Sequence, residues 1–258
     1  MFDVFDRPLL VLVISFPVFW GSAWAGRMLR AKALSTREEK SDEDYSFVLG
    51  GTLTLLGLLI AFTFSMAVGR YDQRKNLEEE EANAIGTEYV RADLLPAGDA
   101  GIVRGLLRSY LDQRILFYTS RDPVQLRQID AQTTLLQAEM WTVVARHAAA
   151  QPTQVAALAA SGMNDVLNSQ GYTQAAWWNR IPRAAWALLI AIAIFCNVLI
   201  GYGAHGRSVI LLVILPVALA VTLFLIADIE APRWGVIRVH PLNLESLAAS
   251  LRAPYETP

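Results

Sequence analysis

Four runs of the chain are long, apolar and almost free of charge: Pro8 to Gly26, Ser46 to Gly69, Pro182 to Tyr202 and Ser208 to Ala227. Only Arg183, at the mouth of the third, is ionised. A bilayer core is crossed by about 20 residues of helix. Hydrocarbon offers no partner to an open backbone N–H or C=O, so such a run has to close its hydrogen bonds on itself as a helix. The pattern therefore predicts four spans. Composition points the same way, since charged residues make up 18% of the chain where soluble domains average about 25%. A net charge of −2 gives no basic field for nucleic acid. The single cysteine, Cys196, excludes an internal disulfide.

The flanks of the runs fit this reading. Ser41, Asp42, Glu43 and Asp44 precede the second run, and capping and acidic groups suit a helix N-terminus. Pro182 opens the third, at a position where a helix has no N–H to lose. Trp177, Trp178 and Trp186 surround that start as an aromatic belt would. In the first run, Ala23-Trp24-Ala25 imitates a signal-peptide cleavage site. Asp3, Asp6 and Arg7 give no positive leader, however, and the apolar stretch exceeds the usual signal core, so a retained span is expected.

Four spans put both termini and the middle of the chain on one side. That side carries eight basic residues near span ends, Arg7, Arg70, Arg74, Lys75, Arg180, Arg183, Arg233 and Arg238. The other carries six, Arg27, Arg30, Lys32, Arg37, Lys40 and Arg207. The excess places the termini in the cytoplasm, which for a bacterial protein means a multi-pass inner-membrane protein.

The expected organisation is all-α: spans one and two in residues 1–69, a helical cytosolic domain over 70–181 inserted between spans two and three, spans three and four in 182–227, and a tail over 228–258. From Arg70 to Leu95 helix runs on from the second span, and Pro96 and Gly98 end it. A helix over about 100–119 lines up Val103, Leu106, Leu107, Tyr110, Leu111 and Leu116. Asp122-Pro123 starts another, and Pro152 a fourth that leads to Trp177. The tail, with four prolines, reads as an extended, docked segment with a short helix at Leu244 to Leu251.

Candidate chemistry is sparse. Gly201-Tyr-Gly203-Ala-His-Gly206 matches a dinucleotide-binding string, but that string works only after a buried strand in a βαβ unit. Between two spans it reads as a tight turn. His147, His205 and His240 lack metal-ligand spacing. No serine sits in a nucleophile elbow. Neither metal, cofactor nor enzymatic activity is expected. Glu78 to Glu81 form an acidic run in which Glu78 and Glu81 share a helix face. A salt-bridged collar is the plainer reading, but in a ring of subunits one glutamate each makes a cation-attracting circle. In the second span, Leu56, Ile60, Phe64 and Val68 recur every four residues. Thr54, Gly57, Ala61 and Ser65 form a small-residue stripe that permits close helix approach.

The stretch Gly57-Leu-Leu-Ile-Ala-Phe-Thr-Phe-Ser-Met-Ala-Val-Gly-Arg-Tyr-Asp-Gln-Arg74, continued by Glu80-Glu-Ala-Asn-Ala-Ile-Gly-Thr-Glu-Tyr-Val-Arg-Ala-Asp-Leu-Leu-Pro96, resembles the bestrophin-like family of membrane proteins. So does Asp228-Ile-Glu-Ala-Pro-Arg-Trp-Gly235, which is similar to that family's Asp-x-x-x-Pro-x-x-Gly element. The resemblance covers nearly the whole chain and extends loosely to true bestrophins, pentameric channels whose second span lines the pore. It implies a homo-oligomeric, pentameric ion channel in which Ile60, Phe64 and Val68 form an apolar neck. Leu56, Arg70, Glu78 and Glu81 would then stand at its mouth or in the vestibule. Its partners would be lipid, inorganic ions and copies of itself. Arg70 tilts the expected selectivity toward anions, and no counterpart of the acidic calcium clasp of animal bestrophins is present. A non-conducting membrane scaffold whose helical domain binds a partner is the alternative.

Overall fold

The computed structural model describes residues 4–33, 42–204 and 210–252. Arg37, Lys40, Ser41, His205, Gly206, Arg207 and the start of the fourth run lie outside them. Eight α-helices follow in chain order: α1 Pro8–Ala33, α2 Asp42–Arg91, α3 Ala97–Thr119, α4 Pro123–Ala150, α5 Gln154–Trp178, α6 Arg183–Gly203, α7 Leu211–Glu230 and α8 Leu242–Arg252. Single 3-10 turns occupy Val4–Asp6 and Ala92–Leu94, and no strand occurs among the described residues. Four helical segments are long and apolar enough to cross a membrane. They contain α1, the first half of α2, α6 and α7.

The chain forms two compact units, one of residues 1–71 with 180–238 and one of residues 72–179 with 239–258. The C-terminal stretch is thus divided between them. In the first unit α1 packs on α6 and α7. The stripe of α1 that turns inward is Val11, Ser15, Phe19, Ala23 and Gly26, spaced three or four apart as a helix face requires. It meets Leu189, Ala193, Cys196 and Gly201 of α6 and Leu219, Leu223 and Ile226 of α7 in one apolar core. The α1–α6 seam is built from missing side chains. A Cβ on Gly26 would stand 2.9 Å from Tyr202 N, and one on Gly201 would stand 2.7 Å from the Ala23 carbonyl carbon. Backbone touches backbone there, the close approach that small residues permit between membrane helices.

That seam corrects one reading of the sequence and accounts for another of its strings. Gly201 and Gly203 belong to the last turn of α6, not to a turn between spans, and Gly203 lies against the Tyr45 ring. The Ala-x-Ala string of the first run supplies Ala23 to the seam, where it is fully buried.

The second unit is built by α3, α4, α5, α8 and the later part of α2. Its helix starts follow the caps in the sequence. Asp122 Oδ1 accepts the Val124 N–H at 2.9 Å with Pro123 in the first helical position, and Thr153 Oγ1 accepts from Ala156 N at 3.1 Å. On α3 the buried stripe is Val103, Leu107, Tyr110, Leu111, Arg114, Phe117 and Tyr118. Arg114 takes an inward place on that stripe, while Leu116, expected there, is exposed.

Candidate functional site: the second span and its polar groups

From Tyr45 to Gly69, α2 carries no charge. One face meets the core of the first unit through Leu56, Thr63 and Ala67, all buried. Leu53, Leu59, Ile60 and Val68 are partly buried against the same core. Away from it stand Leu55, Leu58, Phe62, Phe64 and Met66, all exposed. Between them run Gly51, Thr54, Gly57, Ala61, Ser65 and Gly69, and each of the three glycines has open space where a Cβ would be. The threonine hydroxyls cost nothing in an apolar setting, because Thr52, Thr54 and Thr63 donate to the carbonyls four residues earlier at 2.6–2.9 Å. The four-residue series winds across these surfaces: Leu56 is 2% exposed, Ile60 and Val68 are half-buried, and Phe64 is 40% exposed. Phe64 is therefore the most exposed member of the series.

At the end of the apolar stretch Arg70 is paired. Its Nη1 donates to Glu230 Oε1 at 3.0 Å, and the same oxygen accepts the Ile181 N–H at 2.7 Å. Arg180 donates to the Glu230 carbonyl at 2.6 Å and pairs with Asp6 at 2.9 Å. Glu230 belongs to the Asp228–Gly235 element, whose geometry explains its residue types. Both Asp228 carboxylate oxygens accept backbone N–H groups, from Val236 and Ile237, at 2.8 Å each. The chain must fold back on the end of α7 for this, and at Gly235 a Cβ would lie 2.9 Å from the Ala231 oxygen. Arg7 then covers the Trp234 ring, 4.1 Å from its centroid.

In the second unit the four glutamates divide. Glu79 and Glu80 are exposed, while Glu78 and Glu81 are buried. Glu78 caps α8 from outside: Oε1 accepts from Asn243 N at 3.0 Å and Leu244 N at 2.9 Å, and Oε2 from the Asn243 side chain at 2.6 Å. Glu81 pairs with Arg114 through both carboxylate oxygens and accepts from Thr173 Oγ1 at 3.3 Å. Burial opposes charge on Arg114, and Glu81 more than restores it, so the guanidinium holds its proton more tightly than usual. Burial, and then Glu81, push the Tyr110 and Tyr118 phenols up. Arg74, also buried, donates to the Ala176 and Asn179 carbonyls at the end of α5.

Sequence reasoning singled out Glu78, Glu81 and Arg70 but not their partners. It gave Arg114 no place, counted Arg74 only as a charge near a span end, and quoted Asp228 and Glu230 only within a family element. Arg114 had a signal, since it falls three residues after Leu111 and three before Phe117 on an apolar stripe. Among the described residues no three His, Cys, Asp or Glu side chains converge as a metal site would need.

Four apolar spanning helices, with a glycine seam and a capped return after the last of them, define an all-helical integral membrane protein. Its fold is that of bestrophins. A variant of a bacterial bestrophin homologue from Klebsiella pneumoniae matches with a TM-score of 0.64 at 14% identity, covering 95% of this chain and 97% of that one. Another crystal structure of that homologue gives 0.62 at 15% identity, covering 96% and 97%. A structure described as a membrane protein gives 0.66 at 13% identity, covering 93% and 97%. No curated protein matches at the level of sequence. The family model for the Bestrophin-like domain matches residues 13–244, and the chain belongs to that family.

Proposed function

We propose that the protein is an oligomeric, pentameric ion channel whose pore is formed where copies of α2 surround an axis. The observation that carries this is the poor coverage of α2 within one chain. Only 11% of its most apolar window is buried, against 28% for α1 and 50% for α7. Its uncovered surface is small and apolar, with hydroxyls already bonded, which suits packing against further copies. Ile60, Phe64 and Val68 form the neck, and water is excluded there because an apolar constriction dewets. Leu56 supports the neck from inside the chain. Glu78 and Glu81 shape the vestibule wall by holding α8, α3 and α5 in place, and the second unit stands in the cytoplasm with both termini.

Arg70 shares its charge with Glu230, so it sets selectivity only as part of a group. On the side of the termini the first unit carries Arg7, Arg70, Arg180, Arg183, Arg233 and Arg238 against Asp3, Asp6, Asp228 and Glu230, and this excess of arginine favours anions. Purified protein in planar bilayers tests the reading. The wild type conducts weakly, Phe64→Ala conducts more by widening the neck, and the reversal potential in a salt gradient lies on the anion side. Absence of conductance in both proteins refutes the channel. A monomer in native mass measurement would point to the scaffold.

A further inference from the structure

Glu88 lies three residues before the end of α2, on the side that meets α5. It is fully buried, and neither carboxylate oxygen has a hydrogen-bond partner among the described residues. The residue it meets on α5 is Gly162, where any side chain would run into Glu88 Oε2 and approach Arg91 Nη1 to 2.5 Å. The carboxyl thus fills the space that a side chain of α5 would otherwise take. The charged groups that reach it are Arg91 on its own helix and Asp165 on α5. These two are engaged with each other, Nη1 to Oδ2 at 3.9 Å, and Asp165 is exposed to solvent. An ionised carboxylate enclosed without hydrogen bonds is among the costliest groups a protein can bury, whereas the neutral acid is tolerated.

We propose that Glu88 is a proton-binding site that latches α2 to α5: the neutral carboxyl occupies the contact over Gly162, and losing the proton opens it. Burial raises the Glu88 pKa from 4.5 to about 8, Asp165 adds to the rise, and Arg91 opposes it. The direction of the coupling follows. Once the contact opens and water reaches the carboxyl, its affinity for the proton drops toward the ordinary value, so the closed form binds the proton more tightly. The closed form is then fully favoured at acid pH and loses ground as pH rises toward about 8. The inference concerns the second unit alone and does not rest on the channel reading.

The test is hydrogen exchange on the full chain in detergent micelles, following amides of α5 around Gly162 and correcting for the intrinsic pH dependence of exchange. In the wild type, protection falls about tenfold per pH unit from about pH 5 until about pH 8, and then levels off. In Glu88→Gln, which keeps the shape but has no proton to lose, protection stays high and flat. A flat profile in the wild type overturns the proposal, as does an unchanged slope in Glu88→Gln. Infrared difference spectra supply a check that needs no variant: a protonated-carboxyl C=O band present near neutral pH must vanish on raising the pH. Absence of any such band overturns the site even if Glu88→Gln does not fold.

Discussion

Replacing Glu81 by glutamine separates a structural glutamate from one that faces ions. The substitution keeps the side chain's size but removes its charge. Arg114, 1% exposed, is left as a buried cation beside the Phe117 ring with no carboxylate to answer it. Removing one partner of a buried ion pair costs about 3–5 kcal/mol. For a chain of this size each kcal/mol lowers Tm by about 2–4 °C, so a fall of about 10 °C is expected. Replacing both partners, as Glu81→Leu with Arg114→Met, removes the stranded charge as well as the pair. The double variant should therefore recover most of the loss, and a double-mutant cycle reads the coupling directly. Intrinsic fluorescence during thermal unfolding in detergent is the assay. Trp177 reports from the site, its ring 4.8 Å from Phe117 and 5.4 Å from Tyr118. If Glu81→Gln leaves Tm unchanged within about 1 °C while the reversal potential in bilayers moves, Glu81 faces the ions and the structural argument is refuted.

Two further substitutions probe the places where elements are joined. Gly201→Val puts side-chain atoms into the Ala23 backbone, which cannot yield, so α1 and α6 must separate. The cost is about 1–3 kcal/mol, read as a lowered Tm, and an unchanged Tm would mean the seam is looser than described. Glu78→Ala strips α8 of its cap and leaves two backbone N–H groups unanswered. A loss of about 1–2 kcal/mol should let protease cut ahead of α8 while α3 to α5 stay intact, and an unaltered cleavage pattern would show that the cap contributes nothing.

The spans were legible because hydrocarbon imposes one severe rule, and uncharged runs of sufficient length obey it visibly. The helix start at Pro123 was legible for a local reason, since proline and its capping neighbour Asp122 act within one turn, and Pro182 marks the residue before α6. Pairings across distance were not. Glu78 and Leu244 stand 166 residues apart, and no periodicity in either segment names the other. Arg114 escaped because a charged residue on an apolar stripe looks like a boundary of the stripe until its carboxylate is in view. The glycines of α6 were recognised, but their purpose was assigned to backbone freedom, whereas their use is the absence of a side chain. For the four-residue series on α2, spacing gave the residues a common winding path and could not say how it turns. The path begins at Leu56, inside the core, and is partly open by Phe64.

The capping of α8 by Glu78 also has a meaning in time. At about 5–20 residues per second, the 165 residues between Glu78 and Asn243 take roughly ten to thirty seconds to translate. Throughout that interval Glu78 has been made and its two amide partners have not. The second unit therefore cannot close in step with synthesis. The contact of Glu78 with α8 can form only once Asn243 and Leu244 have left the ribosome. By then α6 and α7 have already been translated, so this unit is completed only after the chain of both later spans has been made.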